Sequence, residues 1–164
     1  MKFSAIDIGT NAARLLVGEV VKESSKSFVK KISYTRIPLR LGDDGFSLGR
    51  IDVKKKSNLI NTIKAFQIIS DIFEVQKIRA VATSAMREAE NGSQIVEEIK
   101  QGFGIDVEII SGEEEASLIL GTFKLLDIAN SKPFVVIDVG GGSTEINIYR
   151  GDKKIASQSF KIGT

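Results

Sequence analysis

The hydrophobic and polar positions of this chain divide it into short strand-like runs first and longer helical periods later. Lys2 to Ile8 and Arg14 to Val21 read as strands joined by a Gly9-Thr10-Asn11 turn. Ser27 to Ile37 alternates apolar and polar residues and predicts a third strand. Leu41 to Gly49, rich in Gly and Asp, reads as a loop. From Asp52 to Phe73 the period changes: Leu59, Ile63, Phe66, Ile69 and Phe73 recur at three- and four-residue steps, which predicts an amphipathic helix. Lys77 to Thr83 reads as a buried strand, and Ala85 to Ala89 as a short helical piece ending at Asn91-Gly92. Ser93 is placed to cap a helix through Gln101. Asp106 to Ile110 is a strand, Ser111 to Leu126 a helix, and Pro133 to Asp138 a strand. Ile146 to Tyr149 and Lys153 to Phe160 flank Gly151-Asp152 and predict a hairpin. A meander of strands followed by alternation of helix and strand predicts an α/β chain, a mixed sheet with helices on its faces. With no low-complexity linker, residues 1–164 read as one domain.

Two segments repeat one pattern. Ala5-Ile6-Asp7-Ile8-Gly9-Thr10 and Val136-Ile137-Asp138-Val139-Gly140-Gly141-Gly142-Ser143-Thr144 are both apolar runs. Each reaches an Asp, then one aliphatic residue, then Gly and a hydroxyl residue. An apolar run reads as a buried strand, so each Asp is expected at a strand end. The glycines let a ligand approach the backbone and turn its N–H groups toward an anion. The pair predicts two phosphate turns with carboxylates for a metal.

Composition narrows the chemistry. The 164 residues are 42% hydrophobic and 27% charged, as in an ordinary globular protein. With 23 basic against 21 acidic residues, the +2 balance is no basis for nucleic-acid binding, and no DNA partner is expected. There is no Cys and no His, which removes thiol chemistry and the commonest general base. Acid–base work must fall to carboxylates, Lys or Tyr. No apolar run reaches membrane-spanning length, and the chain opens directly on a strand. A cytoplasmic location is the default expectation, without a membrane partner.

Two further segments carry candidate chemistry. In Ser111-Gly112-Glu113-Glu114-Glu115-Ala116, Ser111 and Glu114 match a capping box, which accounts for Glu114. A helical wheel built on Ala116, Ile119, Leu120 and Phe123 leaves Glu113 and Glu115 at the edges of the buried face. A carboxylate there can be partly desolvated yet reach a cleft, as a general base requires, and the wheel does not choose between the two. In Ala82-Thr83-Ser84-Ala85-Met86-Arg87-Glu88-Ala89, Thr83 or Ser84 is a candidate cap. Arg87 is either a surface partner of Glu88 or Glu90 or a bidentate phosphate clamp. Arg36, Arg40 and the Lys54-Lys55-Lys56 run carry less information.

Taken in order, AIDIGTNAARLLVGEV, RIPLRLGDDG, ATSAMREAENG, VEIISGEEEASLILG and VIDVGGGSTEI resemble the Ppx/GppA family. Its members are exopolyphosphatases and guanosine pentaphosphate phosphohydrolases. The resemblance implies a ribonuclease H-like domain of the actin-like ATPase superfamily. The chain would be the first of two such domains, with the active cleft between them. It implies hydrolysis of terminal phosphoanhydride bonds of polyphosphate or pppGpp, magnesium or another divalent cation, and a homodimer when complete. By motif, Glu115 matches the base that activates water. Asp7, Asp138 and Glu145 match acids near the metal. Gly9, Thr10, Asn11, Arg14, Arg87, Gly140, Gly141, Gly142, Ser143 and Thr144 match phosphate-binding positions. The family often has Ser-Phe after Asn11, where this chain has Ala12-Ala13. Two other readings share the phosphate turns: a nucleotide-binding actin-like regulatory module, and an acetate- or sugar-kinase-like phosphotransferase.

Overall fold

A computed structural model describes residues 1–23, 26–42, 49–124, 132–141, 143–151, 153–160 and 162–164. The chain divides into two compact units, Met1–Ile110 and Ser111–Thr164, each with its own sheet. The first has strands β1 (Lys2–Ile8), β2 (Ala12–Glu23), β3 (Lys26–Pro38), β4 (Lys77–Ala82) and β5 (Val107–Ile109). Its helices are α1 (Val53–Ile72), α2 (Ser84–Glu88) and α3 (Gly92–Phe103). The second has α4 (Gly112–Lys124), β6 (Phe134–Val139), β7 (Thr144–Arg150) and β8 (Lys153–Phe160).

The first sheet has the order β3-β2-β1-β4-β5. β1, β2 and β3 pair antiparallel, whereas β4 and β5 are parallel to β1. This is the mixed ribonuclease H-like sheet that the sequence predicts. Tight turns serve the antiparallel strands, and helical crossovers serve the parallel ones. One face is packed: Ile6 and Ile8, Ala13, Leu15 and Val17, and Ala80 and Ala82 form one core with Leu59, Ile63 and Phe66 of α1. The predicted helical stripe is therefore the buried one. The stripe also carries a polar stitch, because the Ser70 hydroxyl donates to the Phe66 carbonyl and shares a 2.7 Å hydrogen bond with Ser4 of β1. Asp52 caps α1 by accepting from the Lys55 N–H. α3 packs beside α1, and Lys56 reaches across to Glu98 at 3.0 Å.

Two local expectations change. α3 begins at Gly92, so Ser93 lies inside it and caps nothing. The N-cap position belongs to Asn91, whose side chain instead clasps the Ile51 backbone, accepting from its N–H at 2.9 Å and donating to its carbonyl at 2.8 Å. Thr83 occupies the N-cap position of α2 without a side-chain cap bond. The loop from Leu41 to Gly49 falls largely on residues outside those described, as do Leu126, Gly142 and Asp152.

The second sheet has the order β6-β7-β8, all antiparallel. The sequence predicts β6 as a buried strand, but it is buried on one face only. Val136 is buried, whereas Val135, Ile137 and Val139 are exposed. An apolar run is read as covered on both sides, and within this unit only the Val136 side is. Among the described residues no helix is long and apolar enough to cross a membrane.

Candidate functional site

In the first unit, the turn after β1 is closed by the Gly9 N–H donating to the Ala12 carbonyl at 3.1 Å. A Cβ on Gly9 would stand 3.3 Å from that oxygen, so the residue's small size is used at this position. The Gly9 amide is therefore spent on the turn. Asp7, at the end of β1, sits directly across from Arg14 of β2, and Arg14 Nη1 donates to Asp7 Oδ2 at 2.7 Å. The carboxylate beside Arg14, chiefly through that hydrogen bond, holds its guanidinium above its ordinary pKa. Asp7 and Arg14 therefore neutralise each other, and both stay half exposed. Arg36 of β3 stands opposite Arg14 and adds a second positive charge to the same row.

The parallel strands bring a second segment beside this turn. β1 and β4 run in register, and the Thr83 N–H donates to the Ile8 carbonyl just beyond them. Thr10 and Ser84, 74 residues apart in sequence, share a 2.8 Å hydroxyl hydrogen bond. Ser84 thus lies against the first turn, where helix-capping logic does not place it. No local signal could have found it, because its partner arrives through strand pairing. Arg87 on α2 donates through Nη1 to the Ile110 carbonyl at 2.9 Å, which fastens the end of β5 to α2. The helix segment alone gave no sign of this tertiary bond. The first unit therefore gathers Asp7, Gly9, Thr10, Asn11, Arg14, Ser84 and Arg87 at the C-terminal ends of its parallel strands. In open α/β sheets, ligands bind at that end.

In the second unit, the turn after β6 has the same closure. The Gly140 N–H donates to the Ser143 carbonyl at 2.8 Å, and the Thr164 N–H donates to the Gly140 carbonyl. Gly141 and Ser143 lie in this turn, half buried, and Gly142 is outside the described residues. The Thr144 hydroxyl donates to the Ile162 carbonyl at 2.6 Å, so its proton is committed. Asp138 and Glu145 are register partners on β6 and β7. They share one face of the sheet, and both are half buried. Like charges placed directly across a strand pair destabilise it, by roughly 0.2–1 kcal/mol for such pairs. A divalent cation would turn that repulsion into attraction, and magnesium is commonly held by one or two carboxylates plus phosphate oxygens. The donor set therefore fits a hard cation. Among the described residues no group of three or more Asp and Glu is placed to hold a metal ion.

The helix bearing the acidic triplet starts at this same place. Ser111 Oγ accepts from the Glu114 N–H at 3.1 Å, the capping geometry the sequence predicts. A Cβ on Gly112 would lie 3.7 Å from Glu145 Oε1, so the Glu145 carboxylate rests against the first turn of α4. That turn is a favourable setting for an anion. Within α4, Glu113 and Glu114 are exposed and Glu115 is half buried, next to the buried Ala116. Burial thus separates the two carboxylates that the helical wheel leaves equivalent. Further along the Asp138–Glu145 face, Phe134 and Tyr149 stack with centroids 5.4 Å apart. Tyr149 is 3% exposed. Its burial, and secondarily the Glu145 carboxylate, raise its hydroxyl above the ordinary value of 10.0.

A mixed sheet of this order, carrying a glycine turn and a carboxylate at the end of β1, is that of the actin-like ATPase fold. A family profile described as the Ppx/GppA phosphatase family matches residues 20–164, and the chain belongs to that family. It is 28% identical over 163 residues to exopolyphosphatase 1 of Mycobacterium tuberculosis, an alignment covering 99% of this chain and 46% of that protein. It is 31% identical over 161 residues to the guanosine-5'-triphosphate,3'-diphosphate pyrophosphatase of Vibrio parahaemolyticus, covering 98% of this chain and 31% of that one. The crystal structure of an exopolyphosphatase from Cytophaga hutchinsonii superposes with a TM-score of 0.88 at 30% identity, covering 99% of this chain and 51% of the other. The chain thus spans about half the length, or less, of these relatives.

Proposed function

We propose that the whole protein hydrolyses the terminal phosphoanhydride bond of inorganic polyphosphate or pppGpp, with Glu115 as the general base. The observation that carries this reading is the placement of Glu145, and with it Asp138, against the N-terminal turn of the helix that holds the half-buried Glu115. A water oxygen would attack the terminal phosphorus while its proton passes to Glu115. The bond to the bridging oxygen breaks, and the shortened chain leaves with the electron pair. Such a transition state needs positioning and charge neutralisation more than covalent help. Asp138 and Glu145 would hold magnesium or another divalent cation, which when bound supplies positive charge to the phosphate oxygens. Asp7 is the candidate metal acid of the first unit. The turns at Gly9-Thr10-Asn11 and Gly140 to Thr144, with Arg14 and Arg87, would bind phosphate. Relatives named for each activity support the two substrates.

The chain would form the first ribonuclease H-like domain of a cytoplasmic, homodimeric enzyme, with a second such domain completing the cleft. The relatives' greater length supports this, and so does the exposed face of β6. Ile137 and Val139 are 62% and 55% exposed, whereas Ile6 and Ile8, at the same places in the repeated pattern, are 1% and 0% exposed.

The test is phosphate release from polyphosphate and from pppGpp by the complete protein, with and without magnesium. Glu115→Gln is expected to lower turnover by roughly 10²–10⁴-fold while polyphosphate binding is kept. Near wild-type turnover of that variant refutes the role. Phosphate transfer to an acceptor, with no release to water, would instead favour a kinase.

A further inference from the structure

We infer that Arg40 is an additional phosphate-binding residue of the first turn, held outward by a backbone conformation that an arginine adopts only at a cost. Among the described residues, Arg40 and Glu74 are the two non-glycine residues with positive φ, at 51° and 56°. Glu74 needs no special explanation. It follows the C-terminus of α1, where Phe73 N–H, Glu74 N–H and Val75 N–H close back onto Ile69, Asp71 and Ser70, and a left-handed residue commonly ends a helix there. Arg40 ends no helix. It lies two residues beyond the end of β3, where Gly or Asn would meet the same φ with less strain.

Several contacts force this conformation. The N–H groups of Leu39 and Arg40 both donate to the Asn11 carbonyl at 3.1 Å, and the Gly42 N–H donates to the Thr10 carbonyl at 3.1 Å. The Lys55 amine donates to the Arg40 carbonyl. Leu39 and Leu41, on either side, are both buried. The segment is thus laid against the backbone of Thr10 and Asn11, with its leucines inward and Arg40 exposed. Among the described residues no carboxylate pairs with the Arg40 guanidinium. Strained residues persist where the surroundings over-determine them, and they gather at ligand sites. Beside Arg14 and Arg36, a third guanidinium at this end of the sheet suits a ligand of several negative charges. The ligand class is a chain of linked phosphates, with Arg40 engaging an oxygen beside the turn at Gly9-Thr10-Asn11.

This rests on the proposed hydrolysis, and the experiment separates the two. Phosphate release from polyphosphate is measured for the full-length wild type, Arg40→Gly and Arg40→Lys, with thermal unfolding of each. Arg40→Gly removes the guanidinium and relieves the positive φ. It is expected to raise KM roughly ten- to a hundredfold while the Tm holds or rises. Arg40→Lys, which keeps the charge without the planar fork, is expected to fall between the two. Arg40→Gly with a KM within twofold of wild type overturns the inference and leaves the hydrolysis standing. A lowered Tm accompanying the raised KM also overturns it, since the side chain would then be holding the loop. A wild-type protein that releases no phosphate overturns both.

Discussion

Gly92→Ala sets helix propensity against packing, and the two predict opposite signs. Gly92 is the first residue of α3 and its φ is one any residue adopts, so by propensity alone alanine should stabilise the helix by roughly 0.5–1 kcal/mol. A Cβ at this position, however, would stand 2.0 Å from the Met86 carbonyl oxygen and 3.1 Å from its carbon. Carbon–oxygen contacts settle at about 3.3–3.6 Å, so α2 and α3 would have to separate by more than ~1 Å. Met86, Ala89 and Ile95 are buried around that junction. A gap of ~1 Å forfeits up to half of each dispersion contact of about 0.1–0.2 kcal/mol, and a few dozen such contacts amount to roughly 3 kcal/mol. The alternative, unwinding the start of α3, forfeits the Gly92–Ala89 and Ile95–Asn91 hydrogen bonds instead. The expected net loss of about 2–3 kcal/mol corresponds to a Tm lowered by roughly 10 °C or more, read by thermal circular dichroism and checked by denaturant titration. The same displacement moves Ser84 and Arg87, which ride on α2. A Tm equal to or above wild type would show that propensity governs the position and that the α2–α3 contact is looser than described.

Asn91→Ala removes both clasps on the Ile51 backbone and should cost about 2–3 kcal/mol by denaturant midpoint. Asn91→Asp should be no better, because a carboxylate oxygen then faces the Ile51 carbonyl; an Asp variant as stable as wild type would dispose of the donor role. The raised pKa of Tyr149 means the folded protein keeps that proton longer than the unfolded chain. Its contribution to stability is therefore present below pH 10.0 and is lost as pH rises from there through the folded value. In a Tyr34→Phe background, where Tyr149 is the remaining tyrosine, phenolate absorbance should titrate above 10.0, and Glu145→Gln should bring the midpoint down. A midpoint at or below 10.0 would contradict the buried setting.

What the sequence made legible was local. The three- and four-residue spacing of Leu59, Ile63 and Phe66 gave the buried side of α1, because a helical period is a short-range property. Ser111 and Glu114 gave the start of α4 for the same reason. The contacts that were not legible are those whose partners come from far along the chain. Ser84 meets Thr10, Asn91 meets Ile51 across 40 positions, and Arg87 meets the Ile110 carbonyl. By type alone Ser84 was a candidate cap, Arg87 a surface partner or a phosphate clamp, and Asn91 part of a helix end. β6 failed differently: its composition matches a strand covered on both faces, but burial is set by what packs above a strand rather than by the strand itself.

The two glycine turns turn out to be alike in a way that redefines their chemistry. Each is closed by its leading glycine donating to the carbonyl three residues on, Gly9 to Ala12 and Gly140 to Ser143. Neither glycine amide is then left for a ligand. Two hydroxyls are also engaged, Thr10 with Ser84 and Thr144 with the Ile162 carbonyl. The two leading glycines therefore contribute space and curvature, and any amide donors to a phosphate would be other amides of turns whose path the closing bond fixes. Donors fixed before the ligand arrives need no reorganisation when charge develops on it. This also bears on the Ala12-Ala13 departure. Both side chains are buried, and the part of Ala12 that shapes the turn is its carbonyl, which any residue supplies. Replacing serine there leaves the closing bond intact. The loss is confined to one hydroxyl, in a turn whose remaining groups are backbone amides and the arginines around them.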